Sequence, residues 1–171
     1  EMDSKTRGIL FGLCHFHAVM LERRTFGPKG YNMMYPFGIG DLRCSSVVLK
    51  NYMENATAKI PWEDLRYLFG DIMYGGHIVN DWDRVMCRRY LEYFLRDELL
   101  DEMEMYPYMD EDSKTSFKAP PLTSYDKYLQ HMDKEMKGDT PLAFGLHPNA
   151  EIDFRTSQSN TIFSTMLELS A

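Results

Sequence analysis

Residues 4–28 read Ser-Lys-Thr-Arg-Gly-Ile-Leu-Phe-Gly-Leu-Cys-His-Phe-His-Ala-Val-Met-Leu-Glu-Arg-Arg-Thr-Phe-Gly-Pro, and this stretch decides the fold class. From Ser4 to Arg24, the residues Leu10, Leu13, His17, Met20 and Leu21 recur at three- and four-residue steps, the spacing of a half-buried helix. Gly8 and Gly12 lower its helix propensity but permit close packing against a neighbour. The run Phe26-Gly27-Pro28-Lys29-Gly30 then stops it, since proline cannot continue the hydrogen-bond ladder.

Outward from this helix the same alternation of helix and stop signals continues. Residues 31–40 are rich in aromatics and methionine and broken by Pro36, Gly38 and Gly40, which predicts an ordered loop. A second helix is expected from Asp41 through Met53, with a short strand around Ser45–Val48 as the competing reading, because those residues are poor helix formers. Pro61 opens a short helix carrying Trp62, Leu65, Leu68 and Phe69. Tyr74-Gly75-Gly76-His77 is a turn. Asn80 is the expected N-cap of a long helix over 81–100, with Trp82, Val85, Met86, Tyr90 or Leu91, Phe94 and Leu95 facing inward and Asp83 completing a capping box. The acidic stretch 101–116 reads as turn-rich and mobile. Thr123 or Ser124 caps a helix with Tyr125, Tyr128, Leu129 and Met132. Residues 138–152 read as a loop, and 156–169 as a last amphipathic helix using Ile162, Phe163, Met166 and Leu167. The expected fold is mainly α: one helical-bundle domain over 1–171, with at most minor strands.

Composition narrows the function. Apolar residues form 44% of the chain and charged residues 26%, with 26 acids against 19 bases and a net charge of −7. An acidic surface repels phosphate backbones, and the only basic pairs, Arg23–Arg24 and Arg88–Arg89, have acidic neighbours, so nucleic acid is not an expected partner. No apolar run reaches membrane-spanning length, so no membrane partner is expected. Three scattered cysteines, Cys14, Cys44 and Cys87, suit a reducing, cytoplasmic setting rather than a disulfide framework. The chain starts at Glu1 with a helix almost at once, as a piece of a longer polypeptide would.

Catalytic signatures are missing from the sequence. There is no GxxxxGK[ST] loop to cradle phosphates, and no HExxH, GxSxG or GxGxxG. Cys14 and His17 could share an ion, but two ligands leave a tetrahedral site half filled, so core packing is the better reading. His15 and His17 point to nearly opposite sides of a helix. Asp81 and Asp83 could act as a carboxylate pair, yet in a first helical turn they serve the macrodipole. Asp110-Glu111-Asp112 lacks the glycine and terminal glutamate of a calcium loop. No catalytic, cofactor-binding or metal-ligating residue is therefore expected. Two other readings remain beside a structural role: a small enzyme using Cys14/His17 or Asp81/Asp83, and an adaptor holding a partner helix through 31–37.

Longer strings resemble one family. Phe11–Val19 with Glu22–Pro28, Asp64–Gly70 with Ile72–Gly76, Asn80–Arg84, and Phe144–Ile152 run in the order found in the lid domain of dynein heavy chains. The chain resembles in particular axonemal heavy chains of the outer-arm beta type, through Pro61–Gly70 and the string Leu146-His147-Pro148-Asn149-Ala150-Glu151-Ile152. It departs from them at Tyr31, where tryptophan is usual, at His77, where an arginine is usual, and at Asn80, where an acid or threonine is usual.

The resemblance implies the helical lid of the last AAA+ module, just before the C-terminal domain, with 156–171 as a linking helix. It implies a non-catalytic part of a minus-end-directed microtubule motor of the cytoplasm and the ciliary axoneme. ATP and magnesium would be handled elsewhere in the parent chain. Partners would be the adjacent modules and C-terminal domain of the same chain, and the parent complex would add microtubules and dynein intermediate and light chains. Candidate contacts to neighbouring modules are Arg23, Arg24, His77 and Arg84, together with an exposed apolar patch of Tyr31, Met33, Met34, Tyr35 and Phe37.

Overall fold

A computed structural model describes residues 3–56, 59–108, 117–136 and 141–170. Among them are six α-helices and one two-stranded sheet, so the mainly helical expectation holds. Helix α1, Ser4–Arg23, is not half-buried but central. Thr6, Ile9, Phe11, Leu13, His15, Phe16, His17, Val19, Met20 and Arg23 are all buried and lie around its whole circumference, with Cys14 and Ala18 among the few exposed positions. A helix apolar on every side must be wrapped by its neighbours. Gly12 makes room for this: a Cβ there would stand 2.8 Å from Leu99 Cδ2 and 3.1 Å from the Phe94 carbonyl oxygen.

The stop signal works as read. The chain tightens into a 3-10 turn, Arg24–Lys29, and reverses at Gly27, whose φ of 55° is costly for any residue with a Cβ. An extended strap, 31–38, leads to α2, Ile39–Asn55, where the side chain of Asp41 accepts the Gly38 N–H at 2.9 Å. The strand alternative at Ser45–Val48 is not found; the segment is helical throughout. Helix α3, Trp62–Tyr67, runs on into a π-helical turn, Leu68–Met73.

Helix α4 covers Asp81–Phe94 and is shorter than expected, because Leu95 leaves helical geometry (φ −117°, ψ 89°) before a 3-10 turn at Asp97–Leu100. Its Asn80 cap is as expected: the side-chain oxygen accepts the Trp82 and Asp83 N–H groups. The inward face agrees with the sequence reading at Tyr90, Leu91, Phe94 and Leu95 and departs from it in the first turns. Asp83, Cys87, Tyr90, Leu91 and Phe94 are buried, whereas Trp82 is 77% exposed and Val85 is exposed. One residue is about 100° around a helix, so a buried Asp83 turns Trp82 outward.

Strands β1, Tyr106–Pro107, and β2, Lys118–Ala119, pair antiparallel, Tyr106 opposite Ala119. The acidic residues 110–112 and half of the stretch read as mobile, 109–116, lie outside the described residues. Helix α5 spans Tyr125–Glu135. Ser124 occupies its N-cap position without a side-chain capping bond, and Tyr128 and His131 are its buried residues, while Tyr125 is exposed. After a 3-10 turn at Pro141–Phe144, α6 runs from Asn149 to Ser170. It begins well before the expected Thr156, inside the region read as loop. Ala150 is its only buried residue, so Ile162, Phe163, Met166 and Leu167 face solvent. No described helix is long and apolar enough to cross a membrane.

Candidate functional site

The polar groups the sequence singled out gather where the end of α1, the strap and the start of α4 meet. Arg23 is buried there rather than solvated at a helix end. Its Nε donates to the Gly30 carbonyl at 3.1 Å, and its terminal nitrogen donates to Tyr90 Oη at 2.7 Å and the Phe144 carbonyl at 2.9 Å. The Tyr90 hydroxyl donates to the same Phe144 carbonyl. Its guanidinium carbon lies 5.9 Å from the Tyr31 ring centroid and 5.5 Å from that of Tyr90, so carbonyls and aromatic faces meet the charge. Arg24, half-buried, reaches the Phe37 carbonyl at 3.1 Å and that of Tyr35 at 3.5 Å.

Asp83 fastens the other edge of the strap. Both its carboxylate oxygens lie 3.1 Å from the Asn32 N–H, Asn32 Nδ2 donates at 3.0 Å, and the Tyr35 hydroxyl donates at 2.6 Å. Burial first, and the bond to the Asp83 carboxylate second, push the Tyr35 hydroxyl up to about 12. The expected capping box is absent because this carboxylate is committed to the strap. It also separates Asp83 from Asp81, which is exposed, so the two do not face a common substrate position.

Three members of the expected apolar patch are inside. Tyr31, Tyr35 and Phe37 are core residues, packed edge-on or tilted against one another at 5.5–5.9 Å. Tyr31 Oη also donates to the Met20 carbonyl at 2.8 Å. Along the strap Tyr31, Tyr35 and Phe37 turn inward while Met33 and Met34 stay out, so the burial does not follow a simple strand alternation. One exposed apolar surface lies a step away from the predicted patch. Asn32 bonds to both Asp83 and Asn80, which brings Met33 and Met34 beside the loop and first turn carrying Val79 and Trp82. Met34, Trp82 and Val79 are 85%, 77% and 68% exposed. Trp82 was the missed residue; the signal was the Asn80 cap, which sets the helix phase.

His77 and Arg84 are held within the chain. His77 Nε2 lies 2.8 Å from Asp41 Oδ1, tying the 74–77 turn to the start of α2. Arg84 donates to the Ile78 carbonyl at 2.6 Å. The histidines of α1 diverge as expected. His17 Nδ1 is 2.7 Å from the Tyr74 hydroxyl, while His15 stacks at 4.0 Å on Tyr108 and meets Phe94 edge-on. Burial pushes the His15 imidazole down to about 3, so it is neutral at ordinary pH. His17 is buried against Tyr74 while Cys14 is exposed, and the described residues contain no cluster of three or more potential metal ligands. A groove of about 490 Å³ beside α1 is walled mainly by Phe11, Ala18, Leu21, Phe117 and Met132, a lining suited to hydrocarbon rather than to phosphate.

A bundle wrapped around one helix, with the buried charges of Arg23 and Asp83 spent on internal bonds and Trp82 exposed at one edge, is a packing module. The chain belongs to the dynein heavy chain AAA lid domain family, whose sequence model matches residues 6–150. It is 49% identical over 168 residues to the ciliary dynein beta chain of Tripneustes gratilla and 50% identical over 168 residues to human dynein axonemal heavy chain 9, each match covering 98% of this chain. It is 45% identical over 177 residues to the flagellar outer-arm dynein beta chain of Chlamydomonas reinhardtii. The chain spans about 4% of the length of these relatives.

Proposed function

We propose that the chain is a non-catalytic lid of the AAA+ ring of a ciliary dynein heavy chain, of the outer-arm beta type, in the last module before the C-terminal domain. It would work in the cytoplasm of the cilium, at the axoneme, by packing against neighbouring modules and passing their motion on. ATP and magnesium would be handled by other modules of the parent chain, which with its intermediate and light chains would move along microtubules. The observation that carries this reading is a family match running through nearly the whole chain, with relatives named as ciliary and flagellar dynein chains. The interior agrees with it: rigid aromatic packing and internally bonded charges suit a strut that transmits displacement.

Trp82, Val79, Met33 and Met34 form the surface by which the lid would meet its neighbour, since exposed aromatic and methionine residues in one patch mark contact sites. An independent adaptor built on 31–37 would have to act through Met33 and Met34, because the segment's aromatics are buried. Calorimetric titration of the chain with ATP and ADP should give no saturable heat; micromolar binding would overturn the non-catalytic reading.

A further inference from the structure

Helix α6 is 22 residues long and meets the body only at its start. Ala150 is buried, Glu151 and Phe154 are half-buried, and every described residue from Arg155 onward is exposed. Its seat is equally confined. Phe154 lies 5.4 Å from Phe26, and Asp153 pairs with Lys29. Phe26 and Lys29 both belong to the turn Arg24–Lys29, which continues α1 and reverses at Gly27. The two guanidiniums flank that turn. Arg23 ties its far end, Gly30, back to α1, and with Tyr90 holds the Phe144 carbonyl just ahead of α6. Arg24 holds the strap carbonyls on the other side.

We propose that the turn 24–29 and the anchored Phe144 carbonyl form a pivot that fixes the angle of α6, with Arg23 as its positioning residue. At 1.5 Å per residue α6 is a lever of about 33 Å, so a small tilt at the seat becomes a large displacement at Ser170. The Lys29–Asp153 pair is exposed and adds little resistance. Resistance comes from the Phe26–Phe154 contact and from the Arg23–Tyr90–Phe144 bonds, which are buried and directional. A push on α6 therefore reaches the end of α1 first, and through Arg24 the strap. The pivot is a property of this chain; that it carries force in a motor rests on the reading proposed above.

Distance measurements between spin labels test it. With Cys14 and Cys44 replaced by serine, labels at Asn51→Cys and Ser164→Cys report the body-to-α6 distance, and labels at Asn51→Cys and Arg89→Cys report the body alone. Both distributions should be narrow in the otherwise native chain. Arg23→Lys should broaden the first and leave the second narrow. Tyr90→Phe, which removes only a hydroxyl, should do the same to a smaller degree and decides the matter if the lysine variant does not fold. A body-to-α6 distribution already broad without either change, one unmoved by both, or equal broadening of both pairs would overturn the pivot. Nucleotide binding in calorimetry would sink the lid reading without touching these distances.

Discussion

Arg23, Asp83 and His15 show how differently three buried polar residues can be accommodated. Arg23 spreads its charge over two carbonyls, a hydroxyl and two rings. Asp83 is matched by hydrogen-bond donors of the strap, so Asp83→Ala leaves the Asn32 N–H and the Tyr35 hydroxyl unpaired and should cost about 2–4 kcal/mol by urea denaturation. Trp82→Ala, at a residue 77% exposed, should change stability by less than about 0.5 kcal/mol. His15 is held neutral by burial, its imidazole lowered from 6.5 to about 3. The unfolded chain therefore binds a proton that the folded chain refuses, and stability falls as pH drops from 6.5 toward 3. The slope reaches about 1.4 kcal/mol per pH unit at most. His15→Phe should flatten the acid limb of the stability curve by up to that slope; an unchanged limb would show that His15 protonates freely in the folded state. None of these burial states was legible in the sequence, since Arg23 at a helix end and Asp83 in a first helical turn are ordinary surface positions until tertiary neighbours cover them.

The helices were legible to differing degrees. The start and stop of α1, the Asn80 cap and the Pro61 start carry local signals, and all four stand where the sequence put them. The end of α4 had no such signal. No glycine or proline marks Leu95; the break serves the burial of Leu95 and Leu99 against α1 at Gly12, a long-range cause. The early start of α6 did have a cue, the proline of His147-Pro148-Asn149 just before it. Close contacts between elements yield a paired prediction. A Cβ on Gly30 would stand 1.8 Å from the Arg23 carbonyl oxygen, whereas one on Gly40, in the first turn of α2, meets nothing within 4 Å. Gly30→Ala should destabilise by about 3 kcal/mol through forced backbone movement, and Gly40→Ala should stabilise by about 0.5–1 kcal/mol by restricting the unfolded chain. Thermal melts of the two variants should move in opposite directions.

At the scale of the molecule, the outer turns of α6 stand apart from the body. Cutting the chain after Arg155 removes only exposed residues among those described, so the urea midpoint of the remaining body should equal that of the full chain. A lower midpoint would mean that the outer turns of α6 contribute to the fold. The family was legible because its motifs sit on elements with strong local signals; the surface patch was not, because the path of the strap and the helix phase are set by partners distant in sequence. The central position of α1 bears on how the protein is made. Arg23 and the Phe144 carbonyl that it binds are 121 positions apart, so α1 leaves the ribosome well before the residue that closes its last wall. Throughout that interval its apolar flank is uncovered, the kind of transiently exposed surface that chaperones shield during synthesis.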